Sequence, residues 1–83
     1  MNYRDELYKQ IIGNIRRVRI ERGMTQAVLA EKMDVSHEFI RRIESAKGKK
    51  SLSIKTVYKA SLALEVSLAS LFDIDLDKLK DEN

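Results

Sequence analysis

Between residues 37 and 50 the chain reads HEFIRRIESAKGKK, which sets a histidine, two glutamates, a phenylalanine, two adjacent arginines and three lysines close together. An arginine fork can bond guanine O6 and N7 together, and a carboxylate can accept from cytosine N4, so Arg42 and Glu38 have the chemistry of base reading. Lysines at 47, 49 and 50 can neutralise phosphates as a group, each contact steepening the salt dependence of binding by about one unit of slope. His37 is the only histidine and the chain has no cysteine, so a zinc site lacks ligands; a plain hydrogen-bond donor is the simpler role. A serine, the histidine and an acid do co-occur near position 37. Neighbours within one helix cannot line up as nucleophile, base and orienter, which argues against catalysis. GKKS at 48–51 resembles the end of a phosphate-binding loop, but Ile43 stands where its upstream glycine belongs and Lys50 where Ser or Thr follows.

The elements that position these groups follow from length and patterning. Eighty-three residues make one small domain, without room for a second, effector-sensing core. No apolar run reaches the roughly 18 residues of a membrane span, and MNYRDELYKQ lacks the apolar stretch of a secretion signal, so a soluble, intracellular chain is expected. The net charge of +3 is unevenly spread. Residues 1–50 carry twelve Lys/Arg against seven Asp/Glu, and residues 51–83 carry four against six. A basic surface fits nucleic acid, an anionic membrane or an acidic protein, and charge alone does not choose among them.

The absence of proline and the scarcity of β-branched runs predict an all-α chain. Leu7, Ile11, Ile15, Val18 and Arg22 step at helical spacing and predict a first helix over 4–22, stopped at Gly23, with Gly13 marking close packing. Thr25 caps a second helix near 25–33, which carries Ala27, Leu29, Ala30 and Met33. Asp34 occupies a turn that wants a left-handed residue. Ser36 caps a third helix over 36–44 with Ile40 and Ile43 inward, turning Glu38, Arg41, Arg42 and Ser45 outward and leaving His37 at the exposed edge. Ser53 caps a fourth helix bearing Ile54, Val57, Tyr58, Ser61 and Leu64, and Ser67 caps a short fifth through Leu71 and Phe72. The acidic end, DIDLDKLKDEN, either continues an apolar stripe through Ile74, Leu76 and Leu79 or frays.

Two short helices joined by a tight turn form the geometry that projects a second helix into a DNA major groove while the first lies across the backbone. The residues that build it, IRRVRIERGMTQAVLAEKMDVS, then RRIES, then SIKTVYKASLALEVSLASLF, resemble the phage-repressor, Cro-like (XRE) helix-turn-helix regulators from about Ile12 to Phe72. The resemblance implies a compact five-helix bundle of lambda repressor-like type over 1–73, with 74–83 as an acidic tail that is helical, dimer-contacting or frayed. It also implies a cytoplasmic, nucleoid-associated bacterial or phage protein that binds double-stranded DNA as a homodimer on a partly palindromic operator, without cofactor or metal. Thr25 and Gln26 match the family's phosphate contacts, joined here by Ser45, Lys47, Lys49 and Lys50. His37, Glu38 and Arg42 match its base-reading positions. Phe39 matches a position that touches a thymine methyl or the backbone, although packing is its simpler role, and Arg41 is either a groove contact or part of a solvated face. Glu38 can read cytosine, repel wrong sites or hold an arginine. Arg19 and Glu44 match a pair that the family buries as a salt bridge tying the first helix to the end of the third. Asp34, Ala46 and Glu65 stand where the family commonly has glycine. Leu62 replaces a usual lysine and, with Leu68, Leu71, Ile74 and Leu76, suggests a dimer seam. Tyr3, Tyr8 and Tyr58 fit packing or a dimer contact. RNA polymerase is a further expected partner; an antitoxin gripping a toxin, or a restriction-modification controller, is the alternative on the same fold.

Overall fold

Hydroxyl side chains set three of the helix starts among the described residues, 3–45 and 52–79 of this computed structural model. Thr25 Oγ1 accepts from the Val28 amide at 3.1 Å and opens α2, Gln26–Met33. Ser36 Oγ accepts from the Phe39 amide at 3.0 Å and opens α3, His37–Glu44. Ser53 Oγ accepts from the Thr56 amide at 3.1 Å and opens α4, Ile54–Leu64. Each cap satisfies an amide that has no partner inside its own helix, worth about 1 kcal/mol. The longest helix, α1, spans Tyr3–Glu21 and carries Asp5 and Glu6 in its first turn, where the helix dipole favours acids.

Three helices end in one motif. Gly23, Asp34 and Glu65 have φ of 70°, 59° and 60°. The amide of the next residue then reaches back to close the helix: Met24 to the Arg19 carbonyl, Val35 to that of Ala30, and Val66 to that of Ser61, each at 3.0 Å. Met24, Val35 and Val66 fold under the helix ends onto the core. That core gathers Ile11, Ile15 and Val18 of α1, Leu29, Ala30 and Met33 of α2, Ile40 and Ile43 of α3, and Val57, Ala60, Ala63 and Leu64 of α4, with Leu71 as its plug.

Three of the sequence expectations change. Among the described residues there are four α-helices where five were expected, because residues 69–72 form a 3-10 turn, Ala69–Phe72, followed by a second, Leu76–Leu79. To continue as a helix, the Leu71 carbonyl would have to accept from the Asp75 amide. Asn14 Nδ2 instead donates to the Leu71 and Asp73 carbonyls, at 3.0 and 3.1 Å. Gln10 Oε1 accepts from the Asp75 amide at 2.6 Å, and Gln10 Nε2 donates to the Asp75 carbonyl at 3.2 Å. Two amide side chains one turn apart on α1 thus hold the backbone of residues 71–75 against it. Gly13 does not mark close packing: it is exposed, with nothing within 4 Å of where a Cβ would stand. Arg22 is exposed, and Arg19 takes the inward place on α1. Ile54 and Tyr58 point outward because α4 packs through Val57, Ala60, Ser61, Ala63 and Leu64, whose small members allow close approach to its neighbours.

A left-handed conformation at a side chain larger than Asp or Asn costs about 1–2 kcal/mol, which glycine avoids. Glu65→Gly should therefore raise the midpoint of thermal unfolding by several degrees, about 4–8 °C per kcal/mol in a domain this small. Asp34→Gly should gain less, since aspartate tolerates the conformation. A scan by circular dichroism checks both; an unchanged or lowered midpoint for the Glu65 variant contradicts the argument.

Candidate nucleic-acid interface

The α3 helix is two turns long and divides its residues sharply. Ile40 and Ile43 are buried, and Phe39 is half-buried against the core. His37, Glu38, Arg41 and Arg42 all face solvent. The outward side chains are organised among themselves. Glu38 Oε1 accepts from Arg41 Nη1 at 2.7 Å, an i,i+3 pair with both side chains more than half exposed. The Arg42 guanidinium carbon lies 5.9 Å from the Phe39 ring centroid, within cation–π reach. Phe39 thus packs against the core and also offers its ring to the Arg42 guanidinium. The face ends at Ser45, exposed, whose hydroxyl donates to the Arg42 carbonyl at 2.9 Å.

Behind this face sits Glu44. Arg19 Nε donates to its Oε2 at 2.9 Å and Arg19 Nη2 to its Oε1 at 3.0 Å, a two-pronged pair between buried residues. Arg19 Nη1 also donates to the Met24 carbonyl at 2.7 Å, tying the pair to the α1–α2 turn. Gln26 Nε2 makes a third donation to Glu44, to Oε1 at 3.0 Å. One carboxylate therefore joins α1, the start of α2 and the end of α3. Sequence reasoning assigned Gln26 to phosphate and missed this bond, because the i to i+18 relation has no periodic signature. It also missed Arg16, whose Nε lies 4.0 Å from Glu44 Oε1 while its side chain is 58% exposed. The signal for Arg16 was available: it lies one turn before Arg19, on the same flank of α1.

Thr25 is exposed at the head of α2, its hydroxyl engaged as the cap. Lys47, Lys49, Lys50 and Ala46 lie outside the described residues. Of the residues expected at a dimer seam, Leu71 is fully buried in the core and is removed from any partner surface, since the amide clamp from α1 pulls its segment inward. Leu68 and Ile74 are half-buried against that core, whereas Leu62 and Leu76 are exposed. Among the described residues no three His, Cys, Asp or Glu side chains gather to hold a metal, and no helix is long and apolar enough to cross a membrane.

Residues 15–71 match the helix-turn-helix family model HTH_3. The fold is similar to that of a point variant of the restriction-modification controller protein C.Esp1396I, with 30% identity, a TM-score of 0.74, and coverage of 93% of this chain and 95% of that one. It is also similar to an HTH_3 family transcriptional regulator from Vibrio cholerae, with 27% identity and a TM-score of 0.75. That match covers 94% of this chain and 43% of the other, so this chain spans less than half of the Vibrio protein. No curated protein matches the sequence.

The ion pair generates a stability test. Removing one partner of a buried pair strands the other charge, at about 3–5 kcal/mol, whereas Gln26→Ala removes one neutral donor, at about 1–2 kcal/mol. Glu44→Ala and Arg19→Ala should each cost the larger amount in urea unfolding, and the double substitution far less than their sum. Additive losses would show that the two residues stabilise the fold separately.

Proposed function

This chain belongs to the XRE-type helix-turn-helix family HTH_3 and is a DNA-binding transcriptional regulator; from that premise we propose that it works as a homodimer on a partly palindromic operator, with α3 of each copy in successive major grooves. Half-sites then lie about one helical turn apart on one face of the duplex. The observation that carries this reading is the division within α3: every hydrogen-bonding side chain of the helix except Glu44 is exposed, while its apolar residues hold it to the core.

In this reading Arg42, supported by Phe39, reads a base, with guanine its best match. Glu38 acts first on Arg41, holding its guanidinium in a fixed direction, so that the two work as one reader. His37 donates from the leading edge of the helix. Thr25, Ser45, Lys47, Lys49 and Lys50 serve phosphates, and Arg16 joins them from α1. Gln26 contributes chiefly by fixing Glu44 and so the depth at which α3 stands. The default mode of action is repression by occluding RNA polymerase. The likeness to a restriction-modification controller, at 30% identity over almost the full length of both chains, favours control of restriction-modification genes over an antitoxin role. Residues 1–73 form the DNA-binding unit, followed by the acidic segment 74–83.

Base and phosphate contacts leave different signatures, and salt-titrated binding to the protein's own promoter DNA separates them. Arg42→Ala should cost about 1–3 kcal/mol and relax preference at one base position. Lys49→Ala should weaken all sequences alike and reduce the salt slope by about one unit. Equal losses on every sequence from both variants would defeat the assignment of α3 to base reading.

A further inference from the structure

Among the described residues, the large apolar side chains that remain exposed are mostly scattered singly, as on any small protein. Three of them are not. Ile54, Tyr58 and Leu62 are 65%, 52% and 60% exposed and follow one another at intervals of four along α4, an unbroken stripe about 12 Å long on its outer face. The stripe is symmetric about its centre, with Tyr58 in the middle and a branched aliphatic residue one turn away on either side. Its ends carry opposite charges: Lys55 is exposed beside Ile54, and Glu65 is exposed beyond Leu62.

We propose that this stripe is the seam between two copies of the chain, crossed antiparallel about a two-fold axis at Tyr58; the proposal rests on the homodimer reading above and names the surface that serves it. A second copy is the occupant because the pattern complements itself. Turned end for end, the stripe sets Ile54 against the partner subunit's Leu62, Tyr58 against the partner subunit's Tyr58, and Lys55 near the partner subunit's Glu65. A parallel arrangement would set like charge against like. Self-complementary surfaces of this kind close as two-fold dimers. The seam therefore lies along α4, and not on the buried Leu71. Three side chains fall well short of the roughly 800 Å² per partner that a stable interface buries. The free protein is accordingly a weak dimer, and operator DNA completes the pairing.

The chain has no cysteine, so single cysteines report the geometry directly. Under mild oxidation Tyr58→Cys should form a disulfide-linked dimer. Ile54→Cys and Leu62→Cys should each crosslink poorly alone and efficiently when mixed, because only unlike positions meet across the axis. In sedimentation equilibrium, Lys55→Glu and Glu65→Lys should each weaken association by about two- to five-fold, as an exposed pair allows, and the double reversal should restore it. Failure of Tyr58→Cys to crosslink, crosslinking of Ile54→Cys alone as efficient as that of the mixture, or charge reversals without effect and without rescue would each overturn the pairing. Because α3 does not enter these measurements, their failure alongside a base-specific Arg42 effect removes only the seam. Intact crosslinks with a sequence-blind Arg42 effect would instead remove the operator reading.

Discussion

Glu44 is the constraint on which the rest of the structure depends. A carboxylate buried without partners is prohibitively expensive, and this one is accepted because three donations surround it: two from Arg19 and one from Gln26. Each comes from a different part of the molecule from the helix that carries the acid. Meeting the hydrogen-bond demand of one group therefore fixes the end of α3 against α1 and against the head of α2. Well-packed apolar side chains could fill the same space with comparable stability. They could not impose the same direction, since dispersion contacts vary smoothly with rotation while a two-pronged guanidinium–carboxylate pair does not. At its other end α3 is fixed by the left-handed Asp34 and the Ser36 cap. An eight-residue helix too short to persist alone is thereby held at both ends.

On the proposed reading, this division of labour lets so small a helix carry specificity. The residues that hold α3 are Ile40, Ile43, Glu44 and the half-buried Phe39; those that face outward are absent from the core. Changing an outward residue leaves the support intact, so the exposed face and the stability of the helix can vary separately. The Glu38–Arg41 pair and the Arg42–Phe39 contact add a second level of order. Long cationic side chains lose rotamer freedom on binding, and each neighbour that restrains them beforehand reduces that loss.

Local rules were legible in the sequence and distant ones were not. The caps at Thr25, Ser36 and Ser53, the left-handed Asp34 and the inward Ile40 and Ile43 each depend on residues within one turn of themselves, and each stands where its residue type predicts. The expected fifth helix gave way to a 3-10 turn because Gln10 and Asn14, some sixty positions away, bond the backbone of residues 71–75. A side chain bonding a backbone leaves no trace in the partner's identity. On α4 periodicity was ambiguous for another reason: the helix carries apolar residues on two stripes, and spacing alone cannot say which faces inward. The small Ala60 and Ala63 decide it by admitting the neighbouring helices closely, so the bulkier Ile54, Tyr58 and Leu62 are left outside. At the interface, residue types exposed the outward face of α3 but concealed Gln26 and Arg16, whose importance comes from meeting Glu44 in space.

A small seam suits a unit built on one modest core. A large permanent interface would have to draw on side chains that now fill that core. With the proposed pairing along α4, two copies associate weakly in solution, and the duplex supplies the missing affinity by holding them side by side. Binding of the first copy raises the effective concentration of the second at the adjacent half-site, so occupancy rises more steeply with protein concentration than for a single site. The charge division fits the same reading: residues 1–50 carry the excess of cations that DNA attracts, while residues 51–83 are net acidic. Specificity then arises from two weak, oriented halves that must be satisfied together, and a mismatch in either half-site weakens the hold of both.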